Sequence, residues 1–148
     1  MCIRDRSTTI TNLLRKHKNM IDGINRLAIK KPILGSCAGL ILMSKDSNDD
    51  RVHNFGFLDI STNRNAYGRQ VHSFEAKINV KYKKINSNIN SLFIRAPKVN
   101  RVDKHVEVLA TFNNEIVAVK QGKHIGLSCH PELLDETLMH EICFKGKK

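Results

Sequence analysis

The segment Gly35-Ser36-Cys37-Ala38-Gly39 places a cysteine between two glycines. This G-x-[nucleophile]-x-G spacing is typical of a nucleophile elbow, a sharp turn that joins a strand to a helix. We expect both glycines to be required, because side chains beside so tight a turn would collide with the flanking elements. A thiol at the amino end of the helix is favoured as thiolate, and the Ala38 N–H would face an oxyanion formed beside the sulfur. If the pentapeptide stood alone, a small buried cysteine among packing glycines would be the preferred interpretation.

A second segment, Cys129-His130-Pro131-Glu132, follows the apolar run 124–128. Residues two apart in an extended segment point the same way, so His130 and Glu132 should face one site. A carboxylate on one imidazole nitrogen would leave the other nitrogen to accept a proton from a thiol. The pattern predicts a Cys-His-Glu triad in that chain order. The alternative is a surface histidine at a strand end, and we expect Cys129 to serve packing.

Three arginines lie at or beside predicted strand ends, namely Arg64, Arg69 and Arg95. An arginine fork binds a carboxylate through two parallel hydrogen bonds, so these side chains are candidates to hold an amino-acid substrate. Ordinary surface charge is the alternative for all three. For Arg69 we expect a structural or interface role.

The helices and strands around these residues are predicted from the hydrophobic pattern. Apolar residues recur at close to helical spacing from Ser7 to Leu27, with a break expected near Asp22-Gly23. A short buried strand at 32–35 then leads into a helix from Ala38. The later β signals cover 57–63, 70–80, 91–94, 106–112, 116–119 and 124–128.

Two further signals complete the prediction of an α/β domain with a partly parallel sheet and antiparallel additions. Asn113-Asn114 is typical of a tight hairpin turn. The closing segment 133–144 is predicted to be a helix, with Asp135-Glu136 near its start and lysines after its end, as the helix dipole favours.

The composition is that of an ordinary globular protein, with 148 residues, of which 41% are hydrophobic and 26% charged. This length supports one core and therefore one domain. No apolar run reaches the ~18 residues of a membrane-spanning helix, and the first residues lack the apolar stretch of a signal peptide. We therefore expect a cytoplasmic protein without a membrane partner.

The charge balance raises nucleic acid as a partner, because 25 basic and 14 acidic residues give a net charge of +11. In the densest basic stretch, 77–104, Tyr82 is the aromatic residue that lies between lysines. The stretch shows neither a series of stacking rings nor a recognition helix. A solvated lysine-rich surface is the preferred interpretation, and a basic nucleic-acid-binding module remains an alternative. The four cysteines have wide, irregular spacing without a C-x-x-C pair, so we expect reduced thiols and no metal.

From Ser7 to about Phe144 the sequence resembles the glutaminase subunits of pyridoxal 5'-phosphate synthase, which are triad-type (class I) glutamine amidotransferases. The matching pieces are STTI, PILGSCAGLILMSK, GFLDISTNRNAYGRQVHSFEA, LFIRAP, VAVKQGKHIGLSCHPEL and the closing helix. The elbow and the HPE segment are shared with many glutamine amidotransferases, whereas R-N-A-Y-G-R-Q-V-x-S-F-E with F-I-R-A-P selects this family. The resemblance implies a three-layer, flavodoxin-like α/β sheet with antiparallel additions.

The resemblance also implies roles. Cys37 would be the nucleophile, His130 the general base and acid, and Glu132 the group that orients it, with Ala38 in the oxyanion hole. Glutamine would be bound by Ser7, Arg64, Ile94 and Arg95.

The implied reaction is hydrolysis of L-glutamine through a glutamyl thioester, without cofactor or metal. Ammonia would pass to a synthase subunit, a lyase that builds pyridoxal phosphate, in a hetero-oligomer. Another amidotransferase subunit feeding a different synthase is the alternative within the same class of enzyme.

The amino terminus departs from the family pattern. The family begins with a strand, a Gln-Gly loop, a helix, further strands and a Gly-Gly-Glu stretch before the Ser-Thr-Thr that here starts at Ser7. Residues 1–6, MCIRDR, match none of this and are expected to be foreign, which leaves 7–148 as a partial amidotransferase domain without its first strands. Such a chain is expected to be poorly soluble and nearly inactive, because part of the oxyanion hole and of the sheet would be missing.

Overall fold

A computed structural model describes residues 6–64 and 73–146 of the chain. The helices are α1 (Arg6–Lys16), α2 (Lys18–Lys30), α3 (Ala38–Met43), a 3-10 helix (Pro131–Leu134) and α4 (Leu138–Phe144). The strands are β1 (Leu34–Ser36), β2 (Ser44–Asp46), β3 (Leu58–Asn63), β4 (Phe74–Tyr82), β5 (Ile85–Phe93), β6 (Lys98–Val102), β7 (Glu107–Phe112), β8 (Glu115–Gln121) and β9 (His124–Leu127). None of the helices within these ranges has the length and apolar character needed to cross a membrane.

The described strands form two sheets. One has six strands in the order β1-β9-β8-β7-β4-β5, and the other has three in the order β2-β3-β6. The β1–β9 and β2–β3 pairs are parallel, whereas the remaining pairs are antiparallel. The predicted α/β class, with a partly parallel sheet and antiparallel additions, is confirmed.

The described core contains two large apolar clusters, one with residues of β9 and the other with residues of α3. The first cluster contains Phe93, Ile125 and Leu127 on the six-stranded sheet. The second contains Leu40 of α3 and Leu58 of β3. Because α3 packs on strands of both sheets, the turn that precedes it is held from two sides.

The amino-terminal half differs from the prediction in one respect. The helical segment divides at His17, between α1 and α2, whereas Gly23 lies inside α2. The expected break near Asp22-Gly23 was therefore wrong. A helix tolerates an interior glycine at a cost of about 1 kcal/mol relative to alanine.

The carboxyl-terminal half contains further differences. The segment predicted as one helix over 133–144 is a 3-10 helix followed by the shorter α4, with Asp135 at a left-handed φ of 58° between them. Residues 91–93 of the strand predicted at 91–94 are the last third of the longer β5, and residue 94 lies just beyond it. The strands β2 and β6 were not predicted. The hairpin turn at Asn113-Asn114 is confirmed, with φ values of 48° and 63° between β7 and β8.

Candidate active site

Cys37 forms the turn between β1 and α3 in a strained backbone conformation, with φ 50° and ψ −103°. Its N–H donates to the Leu127 carbonyl of β9 at 2.8 Å. Its carbonyl accepts from the Ile41 N–H of α3 at 3.3 Å. Such a conformation persists only where surrounding structure holds it, and here a strand and a helix each bond the same residue. The thiol is therefore presented at the sheet edge from a fixed backbone.

The two glycines beside Cys37 are not equivalent. A Cβ on Gly35 would collide with the Met43 side chain and with the Gly39 backbone. A Cβ on Gly39 would meet no atom of the described structure within 4 Å. The expectation that both glycines prevent collisions is correct for Gly35 and wrong for Gly39, because the α3 surface at Gly39 is open.

His130 lies just after β9, where β5 holds its backbone. The His130 N–H donates to the Leu92 carbonyl at 2.8 Å, and the Leu92 N–H donates back to the His130 carbonyl at 3.3 Å. Its ring Nδ1 lies 2.8 Å from Glu132 Oε1. The other ring nitrogen, Nε2, is buried and makes no hydrogen bond to a residue in the described ranges.

The pKa of His130 is raised above its usual value, chiefly by the side chain of Cys37. Burial opposes this shift, and Glu132 reinforces it through its hydrogen bond and its charge. Cys37 and His130 both lie at the end of β5, although 92 residues separate them in the chain. Since Nδ1 is bonded to Glu132, Nε2 is the nitrogen left for the thiol.

Glu132 reaches His130 by a different route from the one expected. The prediction placed both residues in an extended segment, but Glu132 lies in the Pro131–Leu134 helix. The first turn of this helix brings the Glu132 carboxylate back onto the imidazole of the preceding His130. The same oxygen, Oε1, also accepts a hydrogen bond from Ser36 Oγ at 3.2 Å. Ser36 was missed in the sequence, where it occupied only an unspecified position of the elbow.

The end of β5 lies at the thiol. Cys37 Sγ is 3.8 Å from the Ile94 carbonyl oxygen, and Arg95 follows with a left-handed φ of 46°. The structure thus brings Ile94 and Arg95, two of the expected glutamine-binding residues, to the elbow.

The remaining predicted residues occupy neighbouring elements. Arg64 follows β3, and its guanidinium forms an ion pair with Asp49, while burial lowers its pKa. Ser7 is buried in the first turn of α1, where its carbonyl accepts from Thr11 Oγ1 at 2.8 Å. Ala38 is the first residue of α3, so its N–H has no acceptor within the helix.

Arg69 and the cysteines remain to be placed. Arg69 lies outside the described residues. Cys129 is fully buried, and burial raises the pKa of its thiol to about 11, as suits a packing residue. Cys37, Cys129 and Cys143 are free thiols. Across residues 6–64 and 73–146, no three His, Cys, Asp or Glu side chains are grouped as metal ligands would be.

Comparison with known proteins agrees with this geometry. Residues 4–145 match the family model of the SNO glutamine amidotransferases. A relative from Halorubrum lacusprofundi is 42% identical, over 93% of this chain and 69% of its own length. A relative from Archaeoglobus fulgidus is 46% identical, over 94% and 71%. Both are named pyridoxal 5'-phosphate synthase subunit PdxT.

A solved structure supports the same assignment. A crystal structure described as a glutamine amidotransferase superposes with a TM-score of 0.83 at 34% identity, covering 93% of this chain and 72% of that one. The resemblance noted in the sequence and its implied fold are therefore confirmed. The chain belongs to the SNO glutamine amidotransferase family.

Proposed function

We propose that this chain is a glutaminase that hydrolyses L-glutamine to glutamate and ammonia for pyridoxal 5'-phosphate synthesis. The observation that carries the proposal is the placement of Cys37 and His130 at the end of β5. Cys37 Sγ lies 3.8 Å from the Ile94 carbonyl oxygen, the His130 backbone bonds to Leu92, and His130 Nδ1 lies 2.8 Å from Glu132 Oε1. In a family of glutamine amidotransferases, a thiol, an imidazole and a carboxylate in this order supply the groups that amide cleavage requires.

The first half of the reaction forms a thioester. His130 Nε2 takes the thiol proton, and Cys37 Sγ attacks the side-chain carboxamide carbon of glutamine. The oxyanion that develops faces the Ala38 N–H, a donor already fixed at the start of α3. His130 then returns its proton to the departing nitrogen, so that ammonia leaves and a glutamyl thioester remains.

The second half reverses these roles. His130 takes a proton from water, the resulting hydroxide attacks the thioester carbonyl, and the C–S bond breaks to release glutamate. Glu132 keeps Nδ1 protonated throughout and stabilises the imidazolium that forms in each half.

Substrate binding is assigned to Ser7, Arg64, Ile94 and Arg95. The position of Ile94 beside Cys37 Sγ supports a substrate that lies along the end of β5. Arg95 follows directly, and a guanidinium there suits the α-carboxylate of glutamine. Arg64, already oriented by Asp49, supplies a second cation for the amino-acid portion.

The ammonia is proposed to pass to a synthase subunit in a hetero-oligomer. The support is that both relatives described above are named subunits of pyridoxal 5'-phosphate synthase. We place this activity in the cytoplasm, where the reduced state of the Cys37 thiol would be maintained.

The test is ammonia release from glutamine by the chain mixed with a pyridoxal phosphate synthase subunit. Cys37→Ala should abolish the low ammonia release expected of this chain, because it removes the proposed nucleophile. Cys143→Ala, which removes a buried thiol in α4, is the matched control and should stay within about twofold of the unsubstituted chain. Equal rates for Cys37→Ala and the unsubstituted chain would refute the proposed nucleophile.

A further inference from the structure

Ser36 joins the strand that carries the nucleophile to the carboxylate that orients the base. It is the last residue of β1, immediately before Cys37. Its hydroxyl donates to Glu132 Oε1 at 3.2 Å, and the same oxygen lies 2.8 Å from His130 Nδ1. One carboxylate oxygen is therefore shared between β1 and the imidazole.

The two ends of the Ser36–Glu132 bond differ in rigidity. Ser36 pairs with Leu127 in the parallel β1–β9 ladder, and the next N–H, that of Cys37, donates to the Leu127 carbonyl. Glu132 lies in a short helix, and its side chain is 32% exposed. Its second oxygen, Oε2, makes no hydrogen bond to any part of the chain that the structure describes. The contacts to Oε1 are thus what orient this carboxylate.

We propose that Ser36 is a positioning residue, whose hydroxyl holds the Glu132 carboxylate in the orientation that keeps His130 directed at Cys37. A carboxylate that accepts from the imidazole alone can rotate about its terminal bonds and carry the ring with it. A second donor, fixed in β1, removes that freedom. The backbone of β1 thereby sets the relative positions of all three triad side chains. For catalysis, the inference rests on the proposed glutaminase function.

Alkylation of Cys37 by iodoacetamide tests the inference without glutamine. The reagent reacts with the thiolate, which an imidazolium on His130 stabilises and which Glu132 supports in turn. Ser36→Ala should slow the alkylation at neutral pH by about tenfold, the effect expected for one hydrogen bond to a charged group. Ser36→Thr keeps the hydroxyl and should restore the rate to within about threefold of the unsubstituted chain.

Mass spectrometry of the labelled peptides distinguishes Cys37 from the other thiols. The control is Ser128→Ala, which removes a buried hydroxyl that donates to the Val117 carbonyl at 3.4 Å, two residues before His130. This variant should alkylate at the rate of the unsubstituted chain. A slowing of the same size in Ser128→Ala would mean that losing any nearby hydroxyl disturbs the elbow, and would overturn a specific role for Ser36.

A double-mutant cycle separates positioning from general damage. In a Glu132→Gln background, Ser36→Ala should cause no further slowing, because the carboxylate that it holds is already absent. Slowing by the same factor in both backgrounds, or no slowing in either, would overturn the proposal.

The glutaminase assay supplies the catalytic readout. If the chain releases ammonia, Ser36→Ala should lower kcat by about tenfold and leave KM within about twofold, because Ser36 acts through the base. Complete absence of ammonia release, without even the low rate expected of this chain, would contradict the proposed function, while the alkylation cycle would still decide the role of Ser36.

Discussion

Gly35 has no room for a side chain at the start of the elbow. A Cβ there would lie 2.5 Å from Met43 Sδ, and 2.7 Å and 2.9 Å from the carbonyl carbon and oxygen of Gly39. The Met43 side chain can move aside, but the α3 backbone cannot without disturbing the Cys37 turn. Gly35→Ala should therefore lower the free energy of unfolding by about 2 kcal/mol, as overpacking typically does, measured by urea denaturation.

Gly39→Ala is the matched control on the other side of Cys37. The added methyl group meets nothing within 4 Å in the described structure, and alanine is the better helix former. We expect no loss of stability and a gain of up to about 0.5 kcal/mol. Equal destabilisation by both substitutions would show that the turn itself, rather than the contact with α3, demands glycine.

At the residue scale, sequence spacing sufficed to select Cys37, His130 and Glu132 as candidates, because each stands in a pattern with a chemical meaning. It could not identify Ser36, since a hydroxyl in a short strand has many local partners and its actual partner is 96 positions away. Nor could it show that Asp49 binds Arg64, because these residues lie 15 positions apart, one before and one after β3.

At the scale of elements, His124 connects the start of β9 to the segment that enters β1. Its Nδ1 accepts from the Ile33 N–H at 3.1 Å, and its ring stacks on Phe57 with centroids 5.5 Å apart. Its pKa is lowered from the usual 6.5, mainly by burial and then by the charge of Lys123. The charge of Lys120 lowers the pKa slightly further, whereas a hydrogen bond with the Ala28 backbone raises it. Protonation at Nδ1 would remove the acceptor for Ile33.

This connection should make the fold sensitive to acid. In the unfolded chain His124 becomes protonated as the pH falls below 6.5. In the folded chain it becomes protonated only at a lower pH, because its pKa is lowered. The free energy of unfolding should therefore fall as the pH decreases from 6.5 towards the folded-state pKa, and should level off below it.

Urea denaturation of the unsubstituted chain and His124→Gln between pH 7 and pH 5 checks this sensitivity. The variant should lose less stability over that interval. His130, with its raised pKa, contributes in the opposite direction: its contribution is present below pH 6.5 and is lost as the pH rises through the folded value. Since both proteins keep His130, their difference isolates His124, and parallel pH profiles would refute the prediction.

Elements with strong local signals were predicted, and elements defined by distant pairing were not. The apolar and β-branched residues of β7, β8 and β9 mark strands by themselves. By contrast, β2 has the sequence Ser-Lys-Asp and exists because it pairs with β3. The break at His17 was missed because the hydrophobic spacing runs on with little change from α1 into α2.

At the scale of the whole molecule, β9 lies between the two large apolar clusters and contacts one with each of its faces. Ile125 and Leu127 belong to the first cluster. Gly126, on the opposite face, lies against Leu40 and Leu58 of the second. The α/β class was predictable from the order of the elements. The division into two sheets was not, because it depends on β6 pairing with β3 rather than with the strands that follow it.

Because β9 contacts both clusters, we expect the two clusters to unfold together. Gly126→Ala would place a methyl group against the fully buried side chains of Leu40 and Leu58, and near Val119 Cγ2 at 3.5 Å. It should lower the free energy of unfolding by about 1–3 kcal/mol.

Two probes test whether this loss is cooperative: circular dichroism in urea, and alkylation of Cys129, which is buried in the first cluster. Although the methyl group enters the second cluster, both transitions should shift to lower urea by the same amount. Gly23→Ala, on an open side of α2, should shift neither one downward. If Cys129 kept its original transition while the dichroism moved, the clusters would be independent and β9 would not couple them.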